Sequence, residues 1–440
     1  MSRLAEVPGL AAAVWRHRTA TRERVEAFQA ERLRRLVRHA YARVPYYRRL
    51  FDGAGVRPEE IRSLADLPRL PLSAKPDYRA APVQDLVADD LDPAGLIEQR
   101  TSGSTGQRLV VYRTWLEVRL HHLFRLRAFA DVGLRPRDLI AHVGLQHSVH
   151  PRDHKVIGRA LAAAGLKRRV RIDLFTPPEQ QAEQLRAARA DVVSGYPGAL
   201  GLLAAHLLDA GIDDVRPRLV LVGAEVLTPP LRRAIEQAFA APVVDLYGSH
   251  EFNLLGWECR ATGAMHVPDD SLVVEILVDG RPARPGETGE VVVTSLHLHA
   301  MPLIRYRLGD LATRGGTPCA CGAPWTTLRS VQGRTVDWFH LPDGRLLHPY
   351  RISQGFFAGR ALPVRHYQLV QLSPDRIVLR IVVPADAPTA AIADAEAAVR
   401  ALLGPSVHFS TERVPEIRPD ANGKYRLFQA GAAPAASVGA

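Results

Sequence analysis

The chain has 440 residues, of which 47% are hydrophobic and 23% are charged, and this composition argues against global disorder. The 57 Lys and Arg exceed the 46 Asp and Glu and give a net charge of +11. Because the cations are spread along the chain, an anionic small ligand explains the surplus as well as nucleic acid does, and nucleic-acid binding is not expected.

No apolar run reaches the roughly 18–20 residues that a bilayer crossing needs, and the first residues do not resemble a secretory signal. We therefore expect a cytoplasmic protein that does not bind membranes. Three cysteines are too few for a disulfide framework. Only four cations are lysines, at positions 75, 155, 167 and 424, so each lysine is more informative than an arginine.

The first half of the chain predicts helices and then an α/β pattern. Residues 22–51 predict a helix that stops near Pro45, residues 64–76 a proline-rich loop, and residues 115–131 a second helix. Strands then alternate with helices; the strands are predicted at 138–144, 191–194, 219–222 and 242–246, and the helices at 156–166, 179–189, 198–210 and 228–240. This alternation predicts a mostly parallel sheet with ligands at the carboxyl ends of its strands.

Strands dominate after about residue 265. Those at 272–278 and 289–294 predict a small β-rich subdomain. Farther on, strands at 366–371, 376–383 and 406–412 and a helix at 388–403 predict a small α+β domain. The predicted fold is therefore α/β. Residues 1–335 form a large N-terminal domain with mostly parallel sheets flanked by helices plus the β-rich subdomain; a small α+β C-terminal domain follows at 336–429, and a disordered tail at 430–440.

Three short motifs carry chemistry. The first runs from Thr101 through Ser102, Gly103, Ser104 and Thr105 to Gly106. Its glycines permit tight turning, and its hydroxyl and N–H groups can cradle phosphate oxygens. It is not a Walker A loop, because Gln107-Arg108 follow instead of Gly-Lys-Ser/Thr. Taken alone, the segment is also typical of an ordinary turn.

The second motif is Asp245–Glu251, directly after a predicted strand. Tyr247 can stack on a purine, Gly248 permits close approach, and Glu251 can hold Mg²⁺ beside phosphates. The third motif is Pro302–Asp310, in which Asp310 can accept both hydroxyls of a ribose. Each motif alone is equally typical of a strand end or a turn.

Together with Gly333-Arg334 and Gly423-Lys424, and in this order and spacing, the motifs resemble the adenylate-forming superfamily of acyl-CoA synthetases, adenylation domains and luciferases. The likeness covers roughly residues 25–428 and is greatest to the phenylacetate-CoA ligase branch. Further branch-typical segments are Val44-Pro45-Tyr46-Tyr47, Leu67-Pro68 through Lys75, Gly223-Ala224-Glu225, Gly286-Glu287-Thr288-Gly289-Glu290 and Cys319-Ala-Cys321-Gly322.

The resemblance implies AMP-forming activation of an aromatic carboxylic acid, followed by transfer to the thiol of CoA. ATP, Mg²⁺ and CoA are the implied cofactors, and the small C-terminal domain is implied to be mobile. It implies ATP and AMP binding by Thr101 to Gly106, Ala224, Glu225, Asp245, Tyr247, Gly248, Ser249, Asp310 and Arg334; Mg²⁺ binding by Glu251; catalysis by Lys424; and an acyl pocket at His142, Tyr196, Pro197 and Ala224.

Three positions depart from the family pattern. His250 stands where a threonine usually precedes the Mg²⁺ glutamate; its imidazole can donate to phosphate or carry protons, or the change is tolerated variation. The phosphate loop lacks the common Gly-Lys ending, which puts its pyrophosphate handling in question. Val336 replaces one carboxylate of the usual acidic pair after Gly333-Arg334, which puts the efficiency of domain rotation in question.

Two alternative functions stay open. The activated acid could pass to a carrier-protein thiol or to an amine or other nitrogen nucleophile, or the chain could be a degenerate nucleotide-binding protein. Retention of Glu251, Asp310 and Lys424 argues against a degenerate nucleotide-binding protein. The acid and the oligomeric state, including a homodimer, are not fixed by the sequence.

All three cysteines belong to one further pattern, in which Cys259 precedes His266 by seven positions and Cys319-x-Cys321 follows. Three thiolates and an imidazole match a closed tetrahedral Zn²⁺ site. Since four protein ligands leave no open position, such a zinc would be structural. Buried free thiols are the alternative.

Overall fold

The computed structural model describes residues 7–100, 109–144, 166, 168–174, 176–334, 339–347, 349–357, 360, 362–384, 387, 389–418 and 425–429. The chain divides into unit 1, Met1–Leu134 with Leu246–Val331, and unit 2, Arg135–Asp245 with Gln332–Ala440. The predicted phosphate loop, most of the helix at 156–166, Val336, Lys424 and the tail lie outside the described residues. Within these ranges no helix has the length and apolar character that a membrane crossing requires.

The helices carry the labels α1–α11 in chain order. They are α1 Val7–Arg16, α2 Arg22–Arg43, α3 Pro45–Gly53, α4 Lys75–Ala80, α5 Val83–Leu86, α6 Trp115–Asp131, α7 Pro178–Ala188, α8 Pro197–Asp209, α9 Pro229–Phe239, α10 Pro349–Phe357 and α11 Thr389–Leu403. Short 3₁₀ turns lie at His17–Thr19, Pro58–Glu60, Leu64–Arg69 and Pro93–Gly95.

The strands carry the labels β1–β21. They are β1 Ser73–Ala74, β2 Ile97–Arg100, β3 Val110–Arg113, β4 Ile140–Gly144, β5 Arg169–Asp173, β6 Val192–Gly195, β7 Leu219–Gly223, β8 Val243–Ser249, β9 Asn253–Glu258, β10 Met265–His266, β11 Leu272–Val278, β12 Arg281–Pro282, β13 Thr288–Ser295, β14 Tyr306–Arg314, β15 Thr327–Arg334, β16 Phe339–His340, β17 Leu346–Leu347, β18 His366–Ser373, β19 Arg376–Val382, β20 His408–Arg413 and β21 Phe428–Gln429.

Unit 1 is built on mostly antiparallel strands. Their order is β12-β11-β13-β14-β15-β10-β9, and the end of β8 pairs with β9 through Leu246 opposite Trp257. Val291 and Val293 on β13 are fully buried and pack with Leu272 and Ile276 of β11. Val292 between them is buried as well, and these paired antiparallel strands confirm the predicted β-rich subdomain.

Unit 2 contains the predicted parallel sheet. Strands β5, β4, β6 and β7 follow one another in that order and pair in parallel. Leu200 and Leu203 of α8 and Ile235 of α9 are fully buried in a core with Val193 and Val220 of the sheet. The carboxyl ends of these strands lead into the loops where sites form in such sheets.

The last part of the chain forms the predicted α+β fold. Strands β20, β19, β18 and β21 make one sheet, in which β18 and β19 are antiparallel. Ile392 and Val399 of α11 pack on Leu379 and Phe409 of this sheet. Together, the two sheets of unit 2 and the strands of unit 1 confirm the predicted α/β class.

The predicted stop near Pro45 is confirmed, and a second helix follows it directly. The segment 22–51 forms two helices, since α2 ends at Arg43 and α3 begins at Pro45. Proline favours the first position of a helix and holds the preceding residue in an extended conformation, and Val44 has φ −117° and ψ 106°. The chain therefore turns at Val44, and the residues after it form the separate helix α3.

Candidate active site

A tight turn between β8 and β9 carries the second motif. The pairing register shifts between Tyr247 and Gly248, and Asn253 has φ +67°. A Cβ at Gly248 would lie 2.3 Å from the carbonyl oxygen of Asn253, so glycine is required for this approach. Phe252 N–H donates to Ser249 Oγ at 3.2 Å. The turn fixes His250 and Glu251 at its tip.

Asp310 faces this motif from a neighbouring part of unit 1. The hydroxyl of Tyr247 donates a hydrogen bond of 2.6 Å to Asp310 Oδ2. Glu290 pairs with Leu311 whereas Val292 pairs with Arg307, so residues 308–310 bulge out of β14. Gly309, at φ +83°, supplies the left-handed backbone of this bulge. The expected glycine turn at Gly309-Asp310 is therefore a bulge inside a strand.

Glu251 is 94% buried on the same unit. The hydroxyl of Tyr306 lies 3.5 Å from Glu251 Oε1, at the outer limit of a hydrogen bond. Tyr306 begins β14, the strand that also holds Asp310. The structure thus brings the turn of the second motif and the strand of the third motif together through two tyrosines, Tyr247 and Tyr306.

Arg113 is a part of this site that the sequence did not indicate. Its guanidinium donates to the carbonyl oxygens of Glu251 and of His250, the latter at 3.2 Å. Burial lowers the pKa of Arg113 to about 10, while the carboxylates of Glu117 and Glu251 oppose that shift. The side chain is therefore charged at pH 7, and it anchors the backbone of the turn that carries Glu251.

In unit 2, His142 lies on the parallel sheet near the end of β4. Its Nδ1 is 2.9 Å from Ser194 Oγ, and the two residues are paired across β4 and β6. A Cβ at Gly144 would lie 2.5 Å from His142 Nε2, so the glycine leaves room for the ring. Burial, aided by Arg169 and Arg171, lowers the pKa of His142 to about 4. The imidazole is therefore neutral at pH 7.

Tyr196, Pro197, Ala224 and Glu225 follow the ends of β6 and β7. Tyr196 precedes α8 and Pro197 is its first residue. Ala224 has φ +67°, a conformation that turns the chain directly after β7. Because parallel strands end at one edge of a sheet, these four residues lie at the edge where ligands bind in such folds.

The Glu225 carboxylate joins two distant backbone segments of unit 2. Its Oε2 accepts from Gly198 N–H at 3.0 Å, and its Oε1 accepts from Tyr425 N–H at 2.7 Å. Gly198 lies in the first turn of α8, where free N–H groups favour an anion. Tyr425 directly follows Lys424 in the sequence.

Two other predicted residues are placed by their strands alone. Asp245 lies within β8, two positions before Tyr247, and Arg334 is the last residue of β15. Thr101, Ser102, Gly103, Ser104, Thr105, Gly106 and Lys424 lie outside the described residues.

The cysteines and His266 converge in unit 1. The candidate ligand atoms of Cys259, His266, Cys319 and Cys321 all lie within 4.8 Å of one another, and Cys321 Sγ is 3.5 Å from His266 Nε2. Each of Cys259 and Cys319 starts a tight turn, closed by Gly263 N–H and Gly322 N–H donating back to the cysteine carbonyl. Burial, aided by Arg127, lowers the pKa of His266 to about 4.

Comparison with known proteins gives consistent relatives. The phenylacetate-coenzyme A ligase of Escherichia coli K12 is 31% identical over 301 residues, covering 67% of this chain and 68% of the relative. That of Thermus thermophilus is 29% identical over 368 residues, covering 80% and 79%. Protein CapK of Staphylococcus aureus is 22% identical over 385 residues, covering 83% and 80%. No protein-family model matches the chain.

Solved structures share the fold. A 2-hydroxyisobutyryl-CoA ligase in complex with 2-HIB-AMP superposes with a TM-score of 0.74 at 22% identity, covering 91% of this chain and 88% of that one. The anthranilate CoA ligase AuaEII in complex with anthranoyl-AMP superposes with a TM-score of 0.54 at 16% identity, covering 77% of this chain and 67% of that one.

Proposed function

The chain belongs to the phenylacetate-CoA ligase family of AMP-forming acid–thiol ligases, and we propose that it activates an aromatic carboxylic acid with ATP and passes the acyl group to CoA. The observation that carries this proposal is the meeting of Tyr247 with Asp310 beside Glu251. Short motifs some sixty residues apart supply an aromatic ring and two carboxylates on one unit. These are the groups that a purine, a ribose and a phosphate-bound cation require.

Roles in nucleotide binding follow from the chemistry of each side chain. The Tyr247 ring offers a face for adenine, and Asp310 offers carboxylate oxygens to the ribose hydroxyls. Glu251 would hold Mg²⁺, which neutralises charge on the phosphates. In unit 1, the phosphate loop at Thr101–Gly106, Ser249 and His250 would bind the phosphates, and Gly248 would border the nucleotide. Ala224, Glu225, Asp245 and Arg334 are the residues of unit 2 that we propose for ATP and AMP binding.

The acid would bind at the carboxyl ends of the parallel strands. His142, Tyr196, Pro197 and Ala224 combine rings and small apolar groups, which suits a flat aromatic acid. The neutral state of His142 matters here, because an uncharged imidazole does not form an ion pair with the substrate carboxylate. The carboxylate therefore stays available to attack ATP.

The reaction would run in two displacements. First, a carboxylate oxygen of the acid attacks the α-phosphorus of ATP, the bond to the β-phosphate oxygen breaks, and pyrophosphate leaves. Lys424 would neutralise charge between the two anions as they approach. Second, the CoA sulfur attacks the acyl carbon of the acyl-AMP, the carbon–oxygen bond to AMP breaks, and the thiol proton passes to solvent. Residues 336–429 are proposed to move as a domain between the two steps.

The test is pyrophosphate release from ATP with a panel of aryl and alkyl acids, followed by mass spectrometry of the products with CoA. We expect acid-dependent pyrophosphate release and an acyl-CoA product. No pyrophosphate with any acid at saturating ATP would contradict the proposal and favour a degenerate nucleotide-binding protein. An acyl-AMP that reacts with a carrier-protein thiol or an amine but not with CoA would show that the acyl acceptor is one of these alternatives.

We also propose that Cys259, His266, Cys319 and Cys321 bind a structural Zn²⁺. Zinc–sulfur bonds of about 2.3 Å in a tetrahedral site place ligand atoms roughly 3.8 Å apart, and the four ligand atoms here lie within 4.8 Å. Four protein ligands leave no position for substrate, so the ion would stabilise the loops of unit 1. A cytoplasmic location and a homodimer remain predictions, which cell fractionation and light scattering test.

A further inference from the structure

The Glu225 bridge, defined by the carboxylate of Glu225 and the N–H groups of Gly198 and Tyr425, is the starting observation. Both carboxylate oxygens are used on backbone donors that lie 227 positions apart in the chain. Neither donor belongs to a segment next to Glu225 in sequence. A carboxylate that accepts hydrogen bonds from two backbone N–H groups fixes the position of both backbone segments. One of these segments begins at Tyr425, the residue that follows Lys424.

The Tyr425 side chain packs closely against Gly198 and His366. A Cβ at Gly198 would lie 2.7 Å from Tyr425 Cβ, closer than side-chain atoms approach, so only glycine permits this contact. The Tyr425 ring also packs edge-on against His366, with ring centroids 4.8 Å apart. Tyr425 is 92% buried in the core that contains Leu200 and Leu203 of α8.

The segment after Tyr425 is fixed as well. Gln368 Nε2 donates to the carbonyl oxygen of Arg426 at 3.0 Å, and Leu369 N–H donates to that of Leu427 at 2.7 Å. Before Tyr425 in the chain, Ile417 packs into the same core as Tyr425. The backbone nitrogen of Tyr425 is therefore held by Glu225 at the edge of the parallel sheet where the acid is proposed to bind.

We propose that Glu225 is a positioning residue for acyl-AMP formation: the Glu225 bridge holds the Tyr425 backbone, and through the peptide bond to Tyr425 it constrains Lys424, the proposed catalytic lysine. The inference rests on the proposed function and gives the Glu225 carboxylate a task other than direct contact with ATP. Burial and the nearby carboxylates of Glu225 and Glu416 raise the pKa of Tyr425 to about 12, so its hydroxyl stays neutral and adds no charge beside the bridge.

The test compares the two half-reactions in Glu225→Gln, in which one carboxylate oxygen becomes an amide donor that cannot accept from an N–H group. Pyrophosphate release with the best acid of the panel should fall about ten- to a hundredfold, the effect of losing a hydrogen bond to a charged group. Acyl-CoA formation from separately prepared acyl-AMP should change by less than about threefold. Gly198→Ala keeps the carboxylate but displaces Tyr425, and it should give the same split.

The control is Glu412→Gln, which makes the same chemical change on the exposed edge of β20, where Glu412 pairs with Arg380. It should keep both half-reactions. A double variant separates positioning from a general structural role: in the Lys424→Ala background, Glu225→Gln should cost less than about threefold in residual pyrophosphate release, because its partner is already missing.

Each other result overturns the inference. If the wild-type chain releases pyrophosphate and Glu225→Gln does so at the same rate, the positioning role is wrong while the proposed function stands. Equal loss in both half-reactions, or an undiminished loss in the Lys424→Ala background, would make Glu225 a binding or stability residue. A wild-type chain that releases no pyrophosphate would remove the proposed function, and the positioning role with it.

Discussion

The hydroxyl of Tyr247 donates a 2.6 Å hydrogen bond to Asp310 Oδ2, although 63 positions separate the two residues. The bond depends on two local irregularities, the register shift at Gly248 and the bulge at Gly309. Both irregularities lie in antiparallel pairs, where a bulge turns side chains out of the regular alternation. The hydrogen bond therefore joins the ring proposed to stack on adenine to the carboxylate proposed to bind the ribose.

We predict that Asp310→Ala raises the KM for ATP by about ten- to a hundredfold in pyrophosphate release, because charged hydrogen bonds to the ribose are lost. Tyr247→Phe keeps the ring but not the hydroxyl, so its KM should rise by less than about tenfold. Asp279→Asn, at an exposed turn of unit 1, is the matched control and should leave the KM unchanged. A normal KM in Asp310→Ala would contradict the ribose role.

Lys424→Ala should lower the rate of acyl-AMP formation by about a hundred- to a thousandfold, since one preorganised cation is removed from the developing charge. The melting temperature should stay close to that of the wild type, which differential scanning fluorimetry checks. Lys75→Ala removes another of the four lysines, at the start of α4 in unit 1, and should keep the rate. A Lys424→Ala enzyme with near-normal pyrophosphate release would refute the assigned role.

Regular periodicity made much of the fold predictable. The predicted helix at 115–131 and strand at 272–278 match α6 and β11, because a capping box at Thr114 and Glu117 starts α6 and four of the seven residues of β11 are β-branched. Strands β9, β14 and β15 were not predicted. The apolar pattern of β14 is broken by Arg307, Gly309 and Asp310, and its pairing with β13 restores the strand through a bulge that only tertiary contacts define.

The site was predictable where its chemistry is local. Tyr247, Glu251 and Asp310 belong to short motifs that can be found in the sequence, whereas Arg113 lies outside these motifs and acts through contacts with distant backbone. For Gly198 a signal did exist in the Gly-Tyr-Pro-Gly turn after β6. The sequence did not indicate that Gly198 contacts Tyr425, because this contact arises only when distant segments of the chain pack together.

We predict that purified protein contains about one zinc ion per chain and that Cys319→Ser lowers both metal content and the melting temperature, the latter by about 5–10 °C. A structural zinc site stabilises the folded state by its binding free energy, so losing one thiolate weakens both together. Elemental analysis and scanning fluorimetry measure the two effects. Ala320→Ser places a hydroxyl in the same exposed turn without removing a ligand and should keep both values. Wild-type protein without zinc would remove the proposal.

His366 makes the stability of unit 2 depend on pH. Its side chain is buried, both ring nitrogens lack a hydrogen-bond partner among the described residues, and burial lowers its pKa to about 4. In the unfolded chain the pKa of histidine is about 6.5, so between pH 6.5 and pH 4 the unfolded state binds more protons than the folded state. The stability that His366 contributes is therefore complete above pH 6.5 and is lost as the pH falls toward 4.

We expect His366→Leu to reduce this acid sensitivity. Between pH 7 and pH 4.5 the free energy of unfolding should fall by about 2 kcal/mol less in the variant than in the wild type, because the leucine cannot bind a proton. Urea unfolding at both pH values, followed by circular dichroism, measures the difference. His340→Leu is the matched control, since the side chain of His340, on β16 of unit 2, is exposed to solvent. Identical acid sensitivity in His366→Leu and the wild type would show that His366 titrates as readily in the folded chain as in the unfolded one.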